Sequence, residues 1–207
     1  MVNGTLRFSL VVLVYVILGL MEVDAIAQRL RALPDGNFGA IFLAGAARTA
    51  TKFRRYMAVR ALMSLVTGVL VWGFIWLRGL PLAQEWGVIA FALNFIPVIG
   101  SFIATVLPTL FAVTQFGAWQ DAVIVFVSLN LIQFCVGSYL EPRIAGGVLS
   151  MSPFLVLFSV FLWSYLWGIP GAFIGVPIMI AVLTVCEQHP SSRWIAQVSG
   201  APVTNRT

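Results

Sequence analysis

The sequence predicts an all-α fold: a polytopic transmembrane helix bundle with one broken or re-entrant helical segment. Three observations carry this. First, 60% of the 207 residues are hydrophobic and 9% are charged, against about 45–50% and about 25% in a soluble domain. Too little polar surface remains to cover a globule in water. That excludes a soluble enzyme, a disordered chain and a nucleic-acid-binding domain, so no nucleic acid is expected as a partner. Second, charges punctuate the chain and leave uncharged runs at 8–21, 61–77, 86–120, 122–140 and 144–186. Third, these runs are continuously apolar. Barrel strands would alternate, whereas helices satisfy their own backbone in lipid.

The first run, 8–21, is short for a span of about 20 residues, but Arg7 and Glu22 can snorkel outward. No small-residue cleavage site ends it, so residues 1–24 read as a retained span. Residues 25–60 differ. They hold seven of the twelve basic residues against one acid, Asp35, which makes this stretch cytoplasmic by the positive-inside rule. Pro34-Asp35-Gly36-Asn37 reads as a turn. After it, Phe38, Ile41, Phe42, Gly45, Thr49, Phe53, Tyr56 and Met57 recur at steps of three and four, with Arg48, Lys52 and Arg55 on the other face. This is a basic amphipathic helix suited to membrane lipids of an anionic leaflet. Docking to a partner, or to a second copy in a homo-oligomer, is the alternative.

Residues 61–187 read as the membrane core, and 188–207 as a short polar tail. Runs 61–77 and 122–140 fit single spans. A straight helix over 86–120 would be about 52 Å long, well beyond a hydrocarbon core of about 30 Å. It must break, and Asn94-Phe95-Ile96-Pro97-Val98-Ile99-Gly100 supplies the break. That leaves 86–96 and 101–116 as half-helices around Pro97 and Gly100. Asn94, one turn earlier, is placed to meet freed backbone groups or a solute. The break is either a functional hinge or a structural kink. A second interruption, Trp167-Gly168-Ile169-Pro170-Gly171, reads as a turn between spans 152–167 and 171–186. Trp72, Trp76, Trp86, Trp119, Trp163 and Trp167 fall near span ends, as in an interfacial aromatic belt.

Span 122–140 carries a polar stripe. Asn130, Gln133, Gly137 and Glu141 are spaced 3, 4 and 4, which on an α-helix puts them within about 80° of one another. Such a stripe avoids lipid by facing a wet pathway or another helix, and both readings stand. Glu141-Pro142-Arg143 suggests a local acid–base pair at its end. No metal or cofactor is expected. Cys135 and Cys186 sit in apolar runs without a CxxC, and His189 is alone. No HExxH, GxSxG or Walker A pattern appears, so neither catalysis nor ATP-driven pumping is expected.

NFIPVIG, then QFCVGSYLEPRIAG, then SMSPFLVLFSVFLWSYLWGIPGAFIGVP, taken in series from about Leu62 to Glu187, resemble the autoinducer-2 exporter (AI-2E) family of bacterial inner-membrane proteins. Asn94, Pro97 and Gly100 match its first motif. Gln133, Pro142 and Gly146 match the second, and Pro153, Gly168, Pro170 and Gly171 the third. The resemblance implies a multi-pass secondary transporter of the cytoplasmic membrane that exports a small polar solute such as autoinducer-2, with a coupling ion. A sodium/proton antiporter of the same family, or a non-transporting scaffold, is the alternative. Members commonly carry an acidic or amide residue two or three places after the motif glutamine, where this chain has Cys135 and Val136. Members are also longer upstream, so the resemblance implies an N-terminally shortened chain.

Overall fold

A computed structural model describes residues 2–32, 36–145, 151–188 and 192–199. Pro34 and Asp35 of the expected turn, Gly146, His189 and most of the tail lie outside these residues. The described residues form helices joined by short turns, with no strand among them. Five helices are long and apolar enough to cross a membrane: 10–31, 42–77, 99–116, 119–144 and 169–187.

Residues 1–48 and 49–207 are two compact units. The first holds α1 (Val2–Arg31) and the start of α2. From Leu10 to Met21, α1 exposes apolar side chains on every side, as a helix solvated by lipid does. Gly39 backs onto the Leu30 carbonyl, where a Cβ would collide.

Helix α2 runs unbroken from Gly36 to Leu77. The basic stretch and the span after it are therefore one helix, and Gly36 and Asn37 belong to it rather than to a turn. The buried face of α2 coincides with the expected apolar face only in part. Tyr56, Val59, Arg60, Met63, Ser64 and Thr67 are buried, whereas Phe42 and Phe53 are exposed. Arg48 and Arg55 are exposed, and Lys52 donates to Glu187 at 2.8 Å. Pairing across 135 residues outweighs the local pattern here.

The long run breaks where proline and glycine require it, with half-helices at α3 (Ala83–Leu93) and α4 (Ile99–Phe116). Eleven residues rise only about 16 Å, so α3 cannot cross. The link is tight: Ile96 N–H bonds to Leu93 O at 2.9 Å, and Gly100 N–H to Ile96 O at 3.0 Å. Val98 takes a positive φ of 64°. A Cβ on Gly100 would run into the Leu93 carbonyl, so Gly100 is the contact at which α4 folds back on α3. Gly68 of α2 and Gly87 of α3 form a second close approach, each Cβ position lying 2.9 Å from the other's carbonyl oxygen.

Beyond the left-handed Gly117, α5 (Trp119–Phe134) passes into a π-helical turn (Cys135–Leu140) and then α6 (Glu141–Ala145). Helices α7 (Pro153–Trp167) and α8 (Ile169–Gln188) form a hairpin turning at Gly168, where the sequence marks it. Ser152 caps α7 by accepting the Leu155 N–H, with Pro153 in the first turn. Pro170 occupies the first turn of α8, and Gly171 backs onto the Trp163 carbonyl. At 15 residues, α7 is shorter than the other spans. A short helix, α9 (Arg193–Val198), packs on α8.

Among the described residues, three ion pairs fix which helix ends lie together. Arg78 beyond α2 meets Asp121 at the start of α5. Arg60 meets Glu141, and Lys52 meets Glu187. The chain thus leaves the Arg78 end along α3, turns at Asn94–Val98 and returns to that end along α4. Helices α5 and α8 then both finish at the basic end of α2. This is the path of a re-entrant hairpin.

Two outcomes are expected. If the basic end is cytoplasmic, a reporter fused after Thr207 is active in the cytoplasm, and a protease or tag site placed at Gly79–Pro81 is reached from outside. A fusion reporting from the outer side would reverse this path. Gly100→Ala should destabilise the protein by about 1–3 kcal/mol through overpacking. Gly137→Ala, which meets no atom within 4 Å, should be neutral or stabilising by up to about 1 kcal/mol from helix propensity. Thermal unfolding of the two variants in one detergent measures the contrast.

Candidate transport site

A cavity of about 540 Å³ opens where the hairpin tip meets the end of α5. Tyr56 and Arg60 come from α2. Asn94, Pro97, Val98 and Ser101 come from the break. Gln133, Val136, Gly137, Glu141 and Pro142 line the opposite wall, and Met151, Pro153, Val156, Leu157 and Val176 close the side toward α7 and α8.

Each polar wall has a local cause. At Asn94 the α3 carbonyls run out of partners, while its side chain donates to the buried Ser64 hydroxyl at 3.4 Å. Helix α3 ends and α4 begins here, so opposite ends of two helix dipoles flank the cavity. Across it, Glu141 N–H bonds to Val136 O, five residues back. Pro142 gives a reason for that wide turn. In an α-helix its ring would clash with the Ser138 carbonyl and supply no N–H to it, and the π turn opens the backbone there. Such turns recur at functional sites.

Glu141 and Arg60 form the charged element. Both carboxylate oxygens lie 3.2 Å from Arg60 Nη1. Arg60 is 8% exposed, so losing either partner strands a charge at a cost of about 3–5 kcal/mol. The local Glu141–Arg143 pair expected from sequence does not form, since Arg143 is exposed and Glu141 turns toward α2. Arg60 Nε and Gln133 Nε2 are buried without an acceptor in the protein.

The structure brings Asn94, Pro97, Gln133, Gly137 and Glu141 to this one cavity. It leaves out Asn130, which is exposed and donates to its own helix at Phe126 O, 2.8 Å away. That bond within the turn satisfies one amide donor without a pathway. Gly100 does not line the cavity and serves as a packing contact with Leu93, and Pro170 and Gly171 belong to the α7–α8 turn. Sequence reasoning missed Tyr56 and Arg60. The available signal was the run Arg60, Ser64, Thr67 at steps of four and three, a polar stripe entering an apolar span. Among the described residues no cluster suited to a metal ion occurs.

Comparison with known proteins gives this geometry its context. The AI-2E transporter family matches residues 2–191. The AI-2 transport protein TqsA of Escherichia coli K12 is 30% identical over 187 residues, covering 90% of this chain and 53% of TqsA. YhhT of the same organism, named as a candidate transport protein, is 33% identical over 177 residues, or 85% of this chain and 50% of YhhT. A further candidate transport protein, from Borreliella burgdorferi, is 36% identical over 134 residues, covering 64% of this chain and 37% of that protein. The chain spans about half the length of TqsA and YhhT. A helical multi-pass membrane protein with this match along nearly its whole length belongs to the AI-2E family of transporters.

Proposed function

We propose that the chain carries a small polar solute across the bacterial cytoplasmic membrane, outward, with the cavity at the hairpin tip as its binding site. The observation that supports this most is the meeting of irregular backbone, a buried ion pair and unpaired donors in one cavity. Broken helices at membrane depth are tolerated only where protein or a wet cavity shields them, and transporters build substrate sites from them. The basic end of α2 lies on the cytoplasmic side in this reading, with Arg48 and Arg55 toward anionic headgroups. Autoinducer-2 is the first solute to test, because TqsA is named for it. Coupling to an ion gradient and assembly into a homo-oligomer belong to the same proposal, and the exposed apolar α1 offers a contact face for lipid or a second copy.

Flux into proteoliposomes separates a transporter from a scaffold. The protein should accumulate or release autoinducer-2 above empty vesicles. Vesicles holding folded protein with no flux of this or other small polar solutes would leave the scaffold.

Cysteine accessibility maps the route. With Cys135 and Cys186 replaced by alanine, single cysteines at 133 and 137 should react with a small water-soluble thiol reagent. A cysteine at 130 should react at least about tenfold more slowly, because thiolate chemistry needs water and Asn130 points away from the cavity. Equal reactivity at all three positions would remove the cavity from the route.

A further inference from the structure

The cavity's donors and acceptors do not balance, and the imbalance describes a ligand. Arg60 presents five N–H groups. Glu141 engages one nitrogen, Nη1, with both oxygens at 3.2 Å. Charge-assisted bonds of this kind run at about 2.7–2.9 Å, and the strong arrangement is a fork of two parallel bonds through two nitrogens. The pair is therefore under-bonded, even with the hydrogen bond that Arg60 also makes to the Tyr56 side chain. Arg60 Nε has no acceptor, nor does Gln133 Nε2. Both residues line the cavity, and Arg60 is more than nine-tenths buried. Buried donors without acceptors are uncommon in native proteins and call for a partner. Nearby, Val136, Met151, Val156 and Val176 supply an apolar wall.

We propose that the cavity binds a small organic carboxylate, which forks onto Arg60 and takes a further bond from Gln133, in competition with Glu141. A planar two-oxygen anion matches the guanidinium edge, and the apolar wall suits its carbon body. This rests on the cavity being the solute site, and it goes further by naming the charged group of the solute. It also gives Glu141 a role: it holds Arg60 when the site is empty and yields it when the anion arrives.

The probes are benzoate and its neutral isostere benzamide, titrated calorimetrically into the full chain in lipid nanodiscs at constant ionic strength. Benzoate should bind at least about tenfold tighter than benzamide, the equilibrium equivalent of one charge-assisted bond. Gln133→Leu should weaken benzoate several-fold. Glu141→Gln should tighten benzoate by roughly tenfold, because the competing charge is gone. Should that variant be poorly stable, its melting temperature should rise with benzoate more than the wild type's does. Equal binding of the two probes, tighter binding of inorganic phosphate, or a Glu141→Gln variant with unchanged benzoate affinity and no benzoate stabilisation would overturn the carboxylate site. Benzoate binding without flux of any solute would leave this site standing and remove the transport reading. Flux of neutral solutes without benzoate binding would do the reverse.

Discussion

Hydrocarbon offers no hydrogen bonds, so each amide of a membrane chain must find its partner within protein. The helices meet this demand internally, and the link at Asn94–Val98 meets it with tight turn hydrogen bonds instead. That link is held against Ser64 of α2 through Asn94. Its Ile96 belongs to the apolar cluster that Tyr56, Val160 and Val176 form between α2, α7 and α8, while the flanking half-helices also enter a second cluster around Val71, Ala90, Ala104 and Val125. The small residues at the crossings follow from the same demand. Glycine at 68, 87 and 100 lets backbones approach closely enough to shut lipid out. The cavity is the part of this enclosure that side chains do not fill.

Charge is distributed by a related rule. Arg78–Asp121 and Lys52–Glu187 are partly exposed and mark opposite ends of the bundle, where water screens them and each adds little stability. Arg60–Glu141 is the buried one. A pair taken out of water regains its solvation only when its bonds are well made, and this one uses a single nitrogen. Its value is better understood as specificity, since it sets the phase of α5 against α2 and concentrates the field inside the cavity.

Much of this was legible in the sequence. Pro97 and Gly100 announce the break because their covalent structure forbids a regular helix whatever surrounds them. Gln133, Gly137 and Glu141 declare a common face through their spacing. The partner of Glu141 was not legible, because Arg60 lies 81 residues away and the nearer Arg143 satisfies every local rule. Asn130 misled for the opposite reason: its spacing is right, but an amide that bonds to its own turn has no need of company. The basic face of α2 was read as continuous, yet Lys52 leaves it for a carboxylate at the far end of the chain.

The π turn at Cys135–Leu140 holds a consequence for movement. A π turn spreads its hydrogen bonds over one more residue than an α turn, so it stores a register offset inside a helix. Tightening it to α geometry would release that residue and rotate everything beyond by about 100°. Glu141 begins that far segment. Pro142 opposes that tightening, since α geometry would return its ring to the Ser138 carbonyl, so the offset is locked in and Glu141 is held at the phase that meets Arg60.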